Sequence, residues 1–281
     1  MSTDYAPGLH VVTGQPVSAS AYDRWVGRWS RLFVPSLLAA AQVSPGSTVL
    51  DVATGTGEAA ATALSIVGSS GIVVGADIAP EMLEAARVRL ASQTFRPAAA
   101  DGQALPFRDD SFDAVTCQLG LQFFPDPALG LLEFRRVLRP GSRAAVCVHS
   151  TPDRTPMWSV LAETLSRFLP ERRNVLYLSW ALADQVRLEK LFADAGFRDI
   201  RVDRETRADI VESFDEYWEP IETGTGQTAA VLSRAGRGRP SQCARDCKSE
   251  ACTVRIRREA VHESRDADWK RPRIDKAKWQ V

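Results

Sequence analysis

Between residues 48 and 149, short apolar runs rich in β-branched residues alternate with segments whose apolar positions recur at helical spacing. The runs 48–53, 72–77, 96–100, 112–118 and 143–149 predict five strands. Between them, 58–67, 80–91 and 127–138 predict helices, the second with Pro80 in its first turn and the third stopped by Arg139-Pro140-Gly141. This alternation predicts right-handed crossovers and an α/β fold, a Rossmann-like, doubly wound and mainly parallel sheet. One or two helices are expected over 20–42, rich in aromatics at Tyr22, Trp25 and Trp29. Further helices are expected over 156–169 and 184–195, the latter ended by Gly196, with 199–204 as a sixth strand.

Composition adds a boundary. The chain has 281 residues with 35 basic and 35 acidic side chains, enough length to bury a core without staples. The balance is uneven: the last 46 residues hold 13 basic and 7 acidic residues, leaving the rest at net −6. Four of the five lysines and three of the five cysteines lie in that stretch, where only 253–257 alternates like a strand. We therefore expect a domain over 1–235, with lid helices near 20–42 and substrate-side helices near 153–196, and a basic, poorly structured tail over 236–281. An acidic body is a poor footprint for a polyphosphate, so no nucleic-acid partner is expected for it. The charge-free stretches 32–50 and 59–76 are broken by Pro35, Ser44-Pro45-Gly46 and Gly68-Ser69-Ser70-Gly71, so no membrane span is expected. An early Asp4, no apolar leader and cysteines at strand positions 117 and 147 predict a reduced, cytoplasmic protein.

The chemistry concentrates in VLDVATGTGEAA, residues 49–60. A strand runs into a loop with Gly55 and Gly57, then into a helix, where a ligand can approach the main chain without a Cβ in its way. Asp77 closes the next strand, placed to accept hydrogen bonds from ribose hydroxyls. A nicotinamide-dependent Rossmann oxidoreductase would satisfy this much. Against it, the loop lacks the third glycine of the dinucleotide fingerprint, Glu58 opens the helix where a pyrophosphate would sit, and no Tyr-x-x-x-Lys pair occurs. Asp51 adds a second carboxylate, so the pocket favours a positively charged nucleoside. S-adenosylmethionine has that character. Asp101, after the third strand, is placed for the adenine amine, with Leu105-Pro106-Phe107 covering the ring.

Residues 49–57, 74–87 (VGADIAPEMLEAAR), 101–107, 111–124 (SFDAVTCQLGLQFF) and 133–141 (EFRRVLRPG) together resemble a class I SAM-dependent methyltransferase. The nearest branch resembles the ubiquinone/menaquinone C-methyltransferases, over roughly 22–214. The resemblance implies S-adenosyl-L-methionine as cofactor and S-adenosyl-L-homocysteine as product. It places the methionine part at Ala53, Gly55 and Gly57, the ribose at Asp77 and the adenine amine at Asp101. Asp51, Ile78, Gly102, Gln118 and, from a lid segment at 22–30, Tyr22 complete the expected cofactor-binding residues. The sequence departs from that pattern at Ala53-Thr54, Gln103 and Ser142, and in the whole tail.

Methyl transfer from a sulfonium is an in-line displacement that needs a base only when the acceptor must lose a proton. His149, at a strand end facing the pocket, is the candidate base for a phenol or enol; a pocket-wall histidine is the competing reading. Trp158, Phe168, Tyr177 and Trp180 suit an aromatic or apolar small-molecule acceptor. The chain has no Pro-Pro, as amino-directed nucleic-acid methyltransferases would require. Cys243, Cys247, Cys252 and His262 are too irregularly spaced for a zinc knuckle, so no metal is expected. A non-catalytic SAM-binding domain is the third reading.

Overall fold

The computed structural model describes residues 19–224 except 209 and 212, together with 246, 248, 279 and 280. It opens with a helical run whose pitch changes along its length. α1 (Ala19–Tyr22) passes through a π turn at Asp23–Gly27 into α2 (Arg28–Ser30), then through a 3₁₀ turn at Arg31–Phe33 into α3 (Val34–Ala40). The expected 20–42 helix is therefore real but segmented, and Pro35 falls in the first turn of α3, where its missing N–H costs nothing.

The sheet follows. β1 (Thr48–Val52), α4 (Glu58–Val67), β2 (Ile72–Asp77), α5 (Pro80–Leu90), β3 (Phe95–Ala99), β4 (Phe112–Gln118), α6 (Pro127–Val137) and β5 (Leu138–Cys147) alternate as the pattern predicts. All four pairings are parallel, in the order β3-β2-β1-β4-β5. The order reverses between β1 and β4, and in such sheets ligands bind in the crevice beyond the carboxyl ends at that switch point. Both faces are covered, so the strands read as continuous apolar runs. Val49, Val73 and Ala114 pack towards α3, α4 and α5, whereas Leu50, Val115 and Cys117 pack towards Leu131 and Phe134 of α6.

Beyond the sheet come α7 (Pro156–Phe168), α8 (Arg173–Leu176), α9 (Gln185–Asp194), the short β6 (Ile210–Val211), α10 (Phe214–Gly224) and β7 (Trp279–Gln280). Asp184 caps α9 by accepting from Arg187 N at 2.7 Å, and Gly196, at φ +83°, follows the helix as expected. A third apolar cluster joins Trp25 of the N-terminal run to Val160, Leu161 and Leu165 of α7 and to Tyr217, Trp218 and Ile221 of α10.

Two expectations are corrected. Residues 199–204 form no strand; the sixth and seventh strands are β6 and β7, a separate antiparallel pair. Alternation in Arg201-Val202-Asp203 reflects packing of Ile200 and Val202 against the α6 side of the core without ladder pairing. β5 also begins at Leu138 rather than at 143. Phe112 pairs with Leu138 but Ala114 pairs with Arg143, so Arg139-Pro140-Gly141-Ser142 is accommodated as a bulge, with Gly141 at φ +83°. The expected strand at 253–257 lies outside the described residues, as do Cys243, Cys247, Cys252 and His262.

Candidate active site

The loop after β1 is tight. Ala53, Gly55 and Gly57 all adopt positive φ, at 55°, 54° and 86°, a region where Ala is strained and Gly is not. Gly57 N donates to Thr54 O at 2.9 Å, and Thr54 N ties the loop to β2 through Ala76 O at 3.1 Å. The two glycines differ in purpose. A Cβ on Gly57 would lie 3.0 Å from Leu90 Cδ1 and 3.3 Å from Ala86 Cβ, so its bareness lets α5 approach; a Cβ on Gly55 would meet only Tyr22, at 3.8 Å.

Asp51 sits under this loop, 1% exposed, accepting from Thr54 Oγ1 at 2.7 Å and Thr116 Oγ1 at 2.8 Å. It links β1, the loop and β4 from below. Burial pushes its carboxyl up to about 6, against the pull of the two hydroxyls. Asp77 ends β2 at the rim. One of its oxygens accepts from Gly55 N at 2.8 Å and the other from Ala79 N at 2.9 Å, so it pins the glycine loop as well as its own turn. Burial raises its pKa while these N–H groups hold it down. Ile78 follows, half-buried.

Asp101 lies just past β3, where Oδ1 accepts from Gln103 N at 2.8 Å. The Gln103 side chain in turn accepts from Asp126 N at 2.7 Å, tying this loop to the start of α6. Gly102 serves packing: a Cβ there would lie 2.3 Å from Phe124 Cζ. The Leu105–Phe107 loop is held by a motif whose purpose the sequence did not disclose. Arg136 bonds Glu133 twice, Asp109, and the carbonyls of Leu105 and Phe107, while Glu133 accepts from Leu105 N at 2.8 Å.

The N-terminal run lies across the rim. Tyr22 packs beside Gly55, and burial together with the nearby carboxylates of Asp77, Asp23 and Glu58 keeps its hydroxyl protonated. Asp23 accepts from Thr56 Oγ1. Glu58, expected to stand as a bare negative charge, is instead bonded to Arg89 at 2.7 Å, with Asp23 3.7 Å from the same guanidinium. Further along, Gln118 Nε2 donates to Ser30 O at 2.5 Å. About two turns beyond Tyr22, Trp29 lies 5.4 Å from His149, ring centre to ring centre. The run is clasped from outside by α10 through Arg24–Glu219 and Arg28–Glu216 pairs. His149 is buried and its pKa is lowered to about 4, chiefly by desolvation.

The structure thus brings Tyr22, Ala53, Gly55, Asp77 and Ile78 to one rim, with Asp101 and Gln118 on its two sides. Asp77 is the part that fits a nucleoside with a cationic group. It is a half-buried carboxylate that makes no ion pair among the described residues, held by N–H bonds that leave lone pairs for hydroxyl donors.

The sequence pattern of the ubiE/COQ5 methyltransferase family matches residues 27–212. The chain belongs to that family. It is 36% identical over 167 residues to a demethylmenaquinone methyltransferase of Corynebacterium kroppenstedtii, covering 56% of this chain and 70% of that one. It is 32% identical over 190 residues to a ubiquinone/menaquinone biosynthesis C-methyltransferase of a Marinomonas species, covering 62% and 76%. A SAM-dependent methyltransferase from Aquifex aeolicus shares the fold, with a TM-score of 0.50 at 21% identity over 66% of this chain and 92% of that one. This chain is therefore a class I methyltransferase that uses S-adenosylmethionine and a small-molecule acceptor. Neither the nicotinamide reading nor the non-catalytic one finds support. Among the described residues, no helix of this methyltransferase is long and apolar enough to cross a membrane.

Proposed function

We propose that the enzyme methylates a ring carbon of a quinol-type aromatic, with the cofactor seated at the β1/β4 switch point. The observation that carries this reading is the 36% identity over 167 residues to a demethylmenaquinone methyltransferase. When bound, S-adenosylmethionine supplies a methyl group on a positively charged sulfur that is already an activated leaving group.

The chain's own residues then have three tasks. Asp77 would accept from the ribose hydroxyls and Asp101 from the adenine amine. The Ala53–Gly57 loop would hold the methionine part against its main chain, with Tyr22 and Ile78 closing over it. The N-terminal run would exclude water by lying across the rim, and the aromatic side chains of α7 would hold the acceptor. In-line alignment of acceptor and methyl is the main contribution asked of the protein, and positioning of that kind supplies ~7–11 kcal/mol in favourable cases. The domain expected over 1–235 is the unit we assign to this activity.

Incubation with S-adenosylmethionine carrying a trideuterated methyl and a reduced naphthoquinol unsubstituted at one ring position tests it. A product 17 mass units heavier, with the label on carbon, is expected. Label on oxygen, or none with the cofactor bound, would overturn the acceptor assignment.

A further inference from the structure

Four buried ring nitrogens without a hydrogen-bond partner among the described residues belong to one aromatic cluster: Nε1 of Trp25, Trp29 and Trp158, and Nε2 of His149. The rings touch. Trp25 and Trp158 are 5.4 Å apart, Trp29 and Trp158 6.0 Å, Trp29 and His149 5.4 Å, and His149 and Trp158 5.7 Å. Trp25, Trp29 and His149 are each more than nine-tenths buried. Native interiors pair such groups because leaving one unpaired costs about 1–3 kcal/mol. Other aromatics nearby are satisfied: Trp180 Nε1 donates to Thr155 Oγ1 at 2.8 Å, and Tyr177 donates to Glu163 at 2.7 Å. The unsatisfied ones collect where α2 and α7 meet the carboxyl end of β5.

Gln122 decides what His149 offers there. Its Oε1 accepts from His149 N at 3.2 Å, which turns its Nε2 towards His149 Nδ1, 3.0 Å away. An amide nitrogen only donates, so Nδ1 must present its lone pair and the ring proton must sit on Nε2. The Ser179 carbonyl, 3.3 Å from Nδ1, favours the opposite tautomer but at a longer distance and against the fixed amide.

We infer that Gln122 fixes His149 as the Nε2–H tautomer, and that this N–H, with the indole N–H groups of Trp29 and Trp158, receives the ring oxygens of a flat aromatic acceptor. The inference rests on the proposed function for its substrate class. It gives His149 a role other than the base expected from its sequence position: a neutral donor that holds a ring oxygen, or the oxyanion formed from it, while Gln122 acts as a positioning residue. Trp25 and Trp29 belong to the N-terminal run, so a ring enters when that run lifts from the rim.

Two measurements on the full chain test this. Long-range nitrogen–proton correlation of the histidine rings, with His149 assigned by its loss in His149→Gln, should show Nε2 protonated and Nδ1 bare. Gln122→Leu should move the proton to Nδ1, facing Ser179 O. Titration of anaerobic 1,4-dihydroxynaphthalene into chain saturated with S-adenosylhomocysteine should weaken about tenfold in His149→Phe and in Trp29→Phe, and much less in His149→Gln, with cofactor-product affinity unchanged. A wild-type Nδ1–H tautomer, or wild-type probe affinity in the folded His149→Phe and Trp29→Phe chains, would overturn the inference. Failure of S-adenosylhomocysteine to bind the wild type would instead sink the proposed cofactor seat, while the tautomer measurement would still decide the assignment of His149.

Discussion

Ala53 and Gly120 touch across the crevice where the strand order reverses. A Cβ on Gly120 would lie 2.4 Å from Ala53 Cβ and 2.9 Å from Cys117 Sγ. Ala53 itself holds a left-handed backbone at φ 55°. The ends of β1 and β4 therefore fit each other through one methyl and one bare glycine, and the glycine loop is held in the conformation this contact allows.

The pair predicts a rescue. Gly120→Ala should lose ~1–3 kcal/mol from overpacking, and Ala53→Gly should gain about 1 kcal/mol by relieving the left-handed alanine. In the double variant the methyl is removed from one side as it is added on the other, so most of the loss should return. Denaturant unfolding of the four chains measures the coupling; strict additivity would show that the two residues do not meet.

Two buried groups oppose each other in acid. Asp51, raised to about 6, is held neutral more readily when folded than when unfolded, so its cost is fully present above pH 6 and is relieved as pH falls towards its unfolded value near 4. His149, lowered to about 4, contributes stability that is fully present above its unfolded pKa near 6.5 and is lost as pH falls through 4. Each effect is worth about 3 kcal/mol. Between pH 6 and 4 the wild type should therefore change little from these two groups. Asp51→Asn should become acid-sensitive and His149→Gln should gain stability, as read from urea midpoints at pH 4.5 and 7. Parallel curves for all three chains would contradict both assignments.

Arg136 predicts a difference between two cations. It makes a bidentate bond to Glu133 at 2.7 Å for each arm and reaches two loop carbonyls. A lysine cannot reproduce that fork. Arg136→Lys should cost ~1–3 kcal/mol and weaken cofactor-product binding through the loosened 101–107 loop. Equal stability of the arginine and lysine chains would show that the fork carries no load.

Much of this was legible before any coordinates. Five strands and their helices follow from apolar runs punctuated by Gly and Pro, and the rim of Gly55, Asp77 and Asp101 follows from acids and glycines placed at strand ends. What escaped the sequence were contacts between distant segments. Nothing in the spacing of Glu58 and Arg89 announces a pair 31 residues apart, and its existence removes the bare charge that was to discriminate against a pyrophosphate. Thr54 and Thr116 converge on Asp51 only because β1 and β4 are neighbours, which gives that acid a supporting place below the loop. Gln122 sits in an apolar run where a single polar residue carries no pattern. The stretch 199–204 has a strand's alternation but no partner edge, so pattern without pairing misled.

The central claim is that Asp77 seats the ribose of an adenosyl cofactor beside the Gly55 loop. Calorimetric titration of the chain with S-adenosylhomocysteine tests it most directly. One site per chain is predicted, with affinity falling ~10- to 100-fold in Asp77→Asn, the scale of ~1.5–3 kcal/mol for hydrogen bonds to a charged acceptor. No heat with the wild type, or unchanged affinity in a folded Asp77→Asn chain, would contradict it.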